Sequence, residues 1–377
     1  MSIHISPVIT DRTVYDKKYW KNIHGVDLAH WTDNSLFKLP FVTISYYYAT
    51  VVANKHRSLR NVRDYLEVSK DITVLGDSGG FSLYTLGEDV DIKSLALWYN
   101  ESVNIGVNPD VPFAKRRKPA TIEKIKKCAE ATAKRTSELI KYLEPHVELY
   151  LALHGRSVKE IELWYSIAVE PFMDRASGIA STSALNIYMP IHLLWIKENR
   201  IARKVHLLGI SGSSSIFAYC LKDYFERITF DSQTHSAASK SAAFLVPYTS
   251  KYLYFGQRAK DGREKLPVPS SKLCVCPVCE FWANHYDITR LYSPDDFNSF
   301  HCLALHNLWA MANMYRICSI DFKYGYKIAG KITRKMMRFT TLGLKEGLDE
   351  ALKTYPEFNY SESSERVEGK VTVDELI

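Results

Sequence analysis

The chain has 377 residues, enough for two average domains or for one α/β barrel with an appended unit. Hydrophobic residues make up 46% and charged residues 24%, an ordinary globular balance that excludes a largely disordered chain, and the net charge is +7. No apolar run approaches the roughly 20 residues a membrane helix needs, and the opening MSIHISPVITDRTVYDKKYW lacks the apolar core of a secretory signal, so a soluble, cytoplasmic protein is expected.

Short β-rich runs recur along the first 235 residues. In chain order they are IHISPVI (3–9), FVTISYY (41–47), ITVLG (72–76), VNIGV (103–107), VELYLAL (147–153), RASGIAS (175–181), KVHLLGI (204–210) and RITF (227–230). Most are followed by a helical stretch, and apolar strands alternating with helices imply βαβ units and a parallel sheet. Eight such strands fit a (β/α)8 TIM barrel better than an open sheet, with the N-terminal 40 residues contributing the weakest strand. Polar residues follow several runs directly: Asp77, Asn108-Pro109-Asp110, His154-Gly155, Ser211-Gly212 and Asp231. In a parallel barrel these strand ends converge on the face that carries the active site, so an enzyme is expected.

The positive charge is clustered. Residues 115–141 hold ten Lys or Arg and three Glu, a density that suits a polyanion and equally suits a solvated helix face. Lys115, Arg116, Arg117 and Lys118 follow the loop that holds Asp110, which makes them the candidate nucleic-acid contacts. Beyond Pro247 the pattern changes. YTSKYLYFG and the turn-rich stretch to Pro269 read as a hairpin and a connection. Apolar positions from Leu303 to Met314, and again from Met336 to Leu352, suit amphipathic helices. The resulting organisation is a barrel over 1–250, an inserted metal-binding subdomain over 251–318, and a C-terminal helical segment over 319–377 whose end, from Pro356, carries six acids and two bases.

Seven cysteines, at 128, 220, 274, 276, 279, 302 and 318, are an odd number without an export signal, which disfavours a disulfide framework. Cys274, Cys276 and Cys279 instead place three soft ligands within six residues, and one more would close a tetrahedral zinc site. Spacing alone leaves His285, His301, Cys302 and His306 as candidates for the fourth. Four protein ligands leave no open position, so such a zinc is structural.

The ordered set Asp77-Ser78-Gly79-Gly80-Phe81, Asp231 after a strand, and Cys-x-Cys-x-x-Cys followed at His306 by His-Asn-Leu resembles the tRNA-guanine transglycosylase superfamily, over about residues 41–315. The resemblance implies that Asp231 is the nucleophile that displaces guanine from the sugar C1′, and that Asp77 is the general acid/base. It implies a base site made by Ser78, Gly79, Gly80, Phe81, Asp110, His154, Gly155 and Gly178. In that site Phe81 stacks on the purine, Asp110 reads its N1–H and exocyclic amine, His154 hydrogen-bonds its carbonyl, and the Gly178 amide meets the carbonyl oxygen from a loop. It further implies structural zinc held by Cys274, Cys276, Cys279 and His306.

The chain departs from the tRNA-acting members where RNA would lie. His154-Gly155-Arg156 stands in place of Gln-Gly-Gly, and Ser232-Gln233-Thr234-His235-Ser236-Ala237 in place of a Pro-Thr-Arg motif. The DNA-modifying branch, which inserts 7-deazaguanine bases into DNA in bacterial cells and phage-infected hosts, is the better match. DNA and a free 7-deazaguanine base are thus the expected partners, with tRNA as the alternative polymer and a homodimer left open. A non-catalytic partner subunit of the family is a third reading, and the presence of both Asp77 and Asp231 argues against it.

Overall fold

A computed structural model describes residues 2–9, 16–49, 61–80, 89–113, 120–182, 189–210, 212–255, 265–329, 331–342 and 346–347. Eight parallel strands close into a barrel in chain order: β1 (Ser2–Ile9), β2 (Phe41–Ser45), β3 (Thr73–Asp77), β4 (Ile105–Val107), β5 (Glu148–Leu153), β6 (Gly178–Thr182), β7 (Lys204–Leu208) and β8 (Arg227–Ser232). Closure runs through β1, which pairs with β8 from Ser2↔Arg227 to Pro7↔Ser232, so the N-terminal run expected to be the weakest strand is integral to the barrel.

The strands are buried on both faces, as a parallel sheet covered by helices requires. Phe41, Leu75, Ile105, Val107, Tyr150 and Ala180 form a cluster of their own, which is the barrel interior. The intervening residues, such as Val42, Ile44, Val74, Leu149, Leu151, Val205 and Leu207, join the main core under the helices. The N-terminal end of the barrel is plugged by charge: Arg227 and Lys204 both pair with Glu148, and the Arg227 Nε donates to the Tyr150 hydroxyl at 3.1 Å.

The crossovers are α1 (Val62–Tyr65), α2 (Ile92–Ser102), α3 (Ile122–Ile140), α4 (Val158–Ala168), α5 (Met189–Glu198) and a 3-10 helix over Gly212–Leu221. Helix α3 shows how the pattern works. Thr121 caps it by accepting the Lys124 amide at 3.2 Å, and Ile125, Cys128, Ala129, Thr132, Thr136 and Leu139 form its buried stripe. Lys124, Lys126, Lys127 and Lys134 lie on the exposed side, so this part of the basic run is a solvated outer face. Lys115, Arg116, Arg117 and Lys118 lie outside the described residues.

After β8 come α6 (Thr234–Ser239) and a hairpin of β9 (Ala243–Leu245) with β10 (Tyr252–Tyr254). The first strand of that hairpin precedes the stretch read as a hairpin from sequence, and the pair straddles residue 250. Helices α7 (Pro277–His285), α8 (Thr289–Tyr292) and α9 (Phe297–Ile320) follow. Asp296 and Ser299 form a reciprocal cap that starts α9, and its 24 residues contain the helix expected from Leu303 to Met314. Finally α10 (Phe322–Ile328) and α11 (Lys331–Leu342) fold back on the barrel, with α11 against α5 and the 3-10 helix. Met336, Met337 and Phe339 are buried there, so the C-terminal segment covers the barrel wall.

Candidate active site and metal centre

Asp77 is the last residue of β3 and Asp231 the penultimate residue of β8, so both carboxylates stand at the C-terminal mouth of the barrel. Each keeps partial contact with solvent. Burial is the main influence on both. It raises Asp77 to about 6, with the negative charge of Asp110 adding to the rise. Burial raises Asp231 to about 7, and here the charge of Asp77 adds to it. Opposing these shifts, the Gly79 amide and the Ser45 hydroxyl favour the Asp77 anion, and the Gly209 amide donates to Asp231 Oδ1.

The turn after Asp77 explains its glycines. Gly79 has φ +72°, and a Cβ there would lie 2.6 Å from the Tyr47 Cβ. A Cβ on Gly80 would lie 2.9 Å from the Asp110 carbonyl oxygen, so only glycine lets the β3 and β4 loops approach this closely. The fully buried Ser78 accepts the Gly80 amide at 3.3 Å. Asp110 is fixed from the other side by its own loop. Asn108 receives the Ala152 amide at 2.6 Å and donates to Thr136 at 2.7 Å, while the Val111 amide donates to Thr132 at 2.9 Å.

His154, directly after β5, donates its Nε2–H to Asp110 Oδ2 at 2.7 Å and packs 4.3 Å from the Trp164 ring centroid. That nitrogen is committed to a carboxylate, so His154 orients Asp110. Gly155 follows, and its carbonyl accepts from His192 Nε2 at 2.7 Å while Ser181 bonds His192 Nδ1 at 2.8 Å. Burial holds His192 down to about 4, in the neutral form this chain of bonds needs.

Gly178 is a correction. It opens β6 opposite Tyr150, at the charged N-terminal end of the barrel, and does not sit in a loop at the mouth. A Cβ there would meet the Tyr150 Cζ at 2.7 Å and the Lys204 carbonyl at 2.8 Å, so its role is packing. Phe81 lies outside the described residues. Ser45, Gly209 and His192 were not singled out from sequence. A serine inside a strand and an amide donor carry no signature of their own, although Gly209 does close an apolar run.

The second centre lies beside the hairpin. Cys274, Cys276, Cys279 and His306 are buried, and their ligand atoms all fall within 4.8 Å of one another, a group able to hold a metal ion. Cys276 caps α7, with Pro277 at its first position, and accepts the Cys279 amide at 3.3 Å; the Cys276 amide in turn donates to Cys274 Sγ at 3.3 Å. From α9, His306 Nδ1 lies 3.3 Å from Cys276 Sγ and 3.5 Å from Cys279 Sγ. A tetrahedral edge built from ordinary Zn–S and Zn–N bonds is about 3.5 Å. The His306 Nε2–H donates to the Leu245 carbonyl at 3.0 Å, which turns the Nδ1 lone pair toward the thiols. The Phe244 ring stacks on the imidazole at 3.9 Å, and the Asn307 amide group bonds both Ala243 and Leu245. Of the other candidates for the fourth position, His301 instead bonds the Leu28 carbonyl at 2.5 Å. His285 stacks on Phe281, and neither it nor Cys302 belongs to the group.

No family model and no curated protein matches the chain.

Proposed function

We propose that this protein is a guanine transglycosylase that exchanges guanine in DNA for a 7-deazaguanine base through a covalent Asp231–glycosyl intermediate. The observation that carries this reading is the pair of half-buried carboxylates at one barrel mouth, Asp77 raised to about 6 and Asp231 to about 7. Such a pair holds one proton between about pH 6 and 7; in the free protein it favours Asp231, the higher of the two, so the exchange requires substrate binding to shift that proton to Asp77.

In the forward step Asp231 attacks the anomeric C1′, the glycosidic bond breaks, and guanine leaves as Asp77 protonates it. The incoming 7-deazaguanine then gives its proton to Asp77, and its N9 bonds to C1′ and releases Asp231. The Gly209 amide holds the Asp231 carboxylate in position. Asp110, acceptor-only and oriented by His154, suits the two donors on the guanine edge.

The Cys3His group fits structural zinc: its donors are soft, close and buried, and His306 is pre-oriented. When bound, zinc would tie α7 to α9 and supply no chemistry to the exchange. DNA is favoured over tRNA by the segment after the nucleophile. It turns at once into α6, with His235 and Ser239 buried against α9, and it contains no arginine.

Acid quenching of the protein with a guanine-containing DNA oligonucleotide, followed by peptide mapping, tests the chemistry. The mass of a deoxyribosyl-linked strand is expected on the peptide containing Asp231, and its attachment to any other residue contradicts the assignment.

A further inference from the structure

A cavity of about 320 Å³ lies at the same end of the barrel as the carboxylates. Its position follows from the sheet register. Ser6 of β1 pairs with Asp231, and Val8 and Ile9, next along β1, form one wall. His235, Ser236 and Ser239 of α6 form another, beginning four residues after Asp231. Ala304 and Leu305 of α9 close the cavity, and its aromatic surface comes from Trp31, Phe297 and Phe300.

Two imidazoles in these walls lack something. His30 Nε2 and His235 Nδ1 are buried with no hydrogen-bond partner among the described residues, and the two residues are only 4% and 8% exposed. An unmet buried polar atom is costly, so two around one cavity mark where a ligand's polar edge fits. Burial lowers both histidines below their ordinary range, His235 to about 4, so each is a neutral ring able to donate or accept. The volume is at the lower end of ligand pockets, about 300–1,000 Å³, and suits one planar ring system. Lys240, exposed at the rim, suits an attached phosphate.

We propose that this cavity is a second base-binding site, distinct from the guanine site. It takes a purine or pyrimidine between its aromatic walls, with the base edge on His30 and His235 and its phosphate near Lys240. Stacking on aromatic side chains accepts any base, and the imidazoles add hydrogen bonds. The base comes either from a strand, as a neighbour of the reacting nucleotide, or from a free nucleotide. The strand source rests on the proposed function, whereas binding itself does not.

The test is isothermal titration of the full chain with two guanine-free probes. One is deoxyadenosine monophosphate, and the other is a single strand of adenine and thymine about 12 nucleotides long. Binding of the monophosphate identifies a free-nucleotide site, and binding of the strand alone identifies a flanking-base site. Ser236→Trp, at a half-buried position of α6, and Ala304→Phe, from α9, both fill the cavity. Each should weaken whichever probe binds by at least about tenfold. If neither probe binds, or if both filled variants bind unchanged, the cavity is not a base site. Loss of guanine exchange in Asp231→Asn is read separately, so failure of one idea is distinguishable from failure of the other.

Discussion

Two carboxylates at one partly buried barrel mouth cannot both ionise cheaply, and this governs the chemistry expected of Asp77 and Asp231. One must be protonated and the other ionised for exchange to proceed. With the pair raised to about 6 and about 7, kcat should peak near pH 6–7 and fall on both sides. A rate independent of pH from 5 to 8 would remove the acid/nucleophile division. Stability follows the same shifts. Above the ordinary value of 3.8 the unfolded chain releases protons that the folded chain retains, so stability present below pH 4 is lost as pH rises through about 7. Asp231→Asn removes that loss. It should leave stability unchanged at pH 3.5 and raise it by about 2 kcal/mol at pH 8, after allowing for screening at the open mouth. Denaturant midpoints across this range provide the check. Asp77, Asp110 and Asp231 were legible in the sequence because carboxylates directly after apolar runs stand out. Gly209 and Ser45 were not, since one acts through its backbone and the other is an unremarkable strand residue. Gly178 was misread because its run, 175–181, contains both a turn and the start of β6, and only the register shows which end of the barrel it occupies.

At the scale of elements, α9 joins the metal group to the barrel. It supplies His306 to the cluster and Asn307 to the β9–β10 hairpin, and it packs along α6, which follows β8. One zinc per chain is the expected stoichiometry, and His306→Ala should lose it. The cost should be about 3 kcal/mol, a fall of roughly 4 °C in Tm for a chain of this size. Unchanged zinc in that variant, by metal analysis, would assign the fourth ligand elsewhere. Activity measured well below the lowered Tm should fall less than stability does, because no substrate position on the metal is left open. The three-cysteine spacing made the site legible and left the fourth ligand open, and His306, which the resemblance implied, is the residue the structure brings to the cluster. That choice depends on α9 passing under the hairpin, a tertiary fact. The hairpin itself was misplaced because β9 is only three residues long and lies before Pro247, with no turn signal ahead of it.

For the whole molecule, eight strands in chain order were legible because each is a short apolar run ending in small or polar residues. Closure was expected from that count, and β1, the weakest of the eight runs, completes it by pairing with β8 across more than 200 residues of sequence. The basic stretch shows the limit of composition. Lys124, Lys126, Lys127 and Lys134 lie on the outer face of α3, where a solvated helix needs no partner, while Arg135 turns to Asp89 and the Asp110 carbonyl. The nature of the polymer therefore rests on the mouth and its flanking cavity and is best read directly from the reaction. Labelled guanine, and separately a labelled 7-deazaguanine, should be incubated with the protein and either guanine-containing DNA or tRNA. Label entering DNA, and lost by at least about 10³-fold in Asp231→Asn, is the result this account predicts. Label entering tRNA alone would contradict the choice of polymer, and label entering neither would contradict the exchange reaction itself.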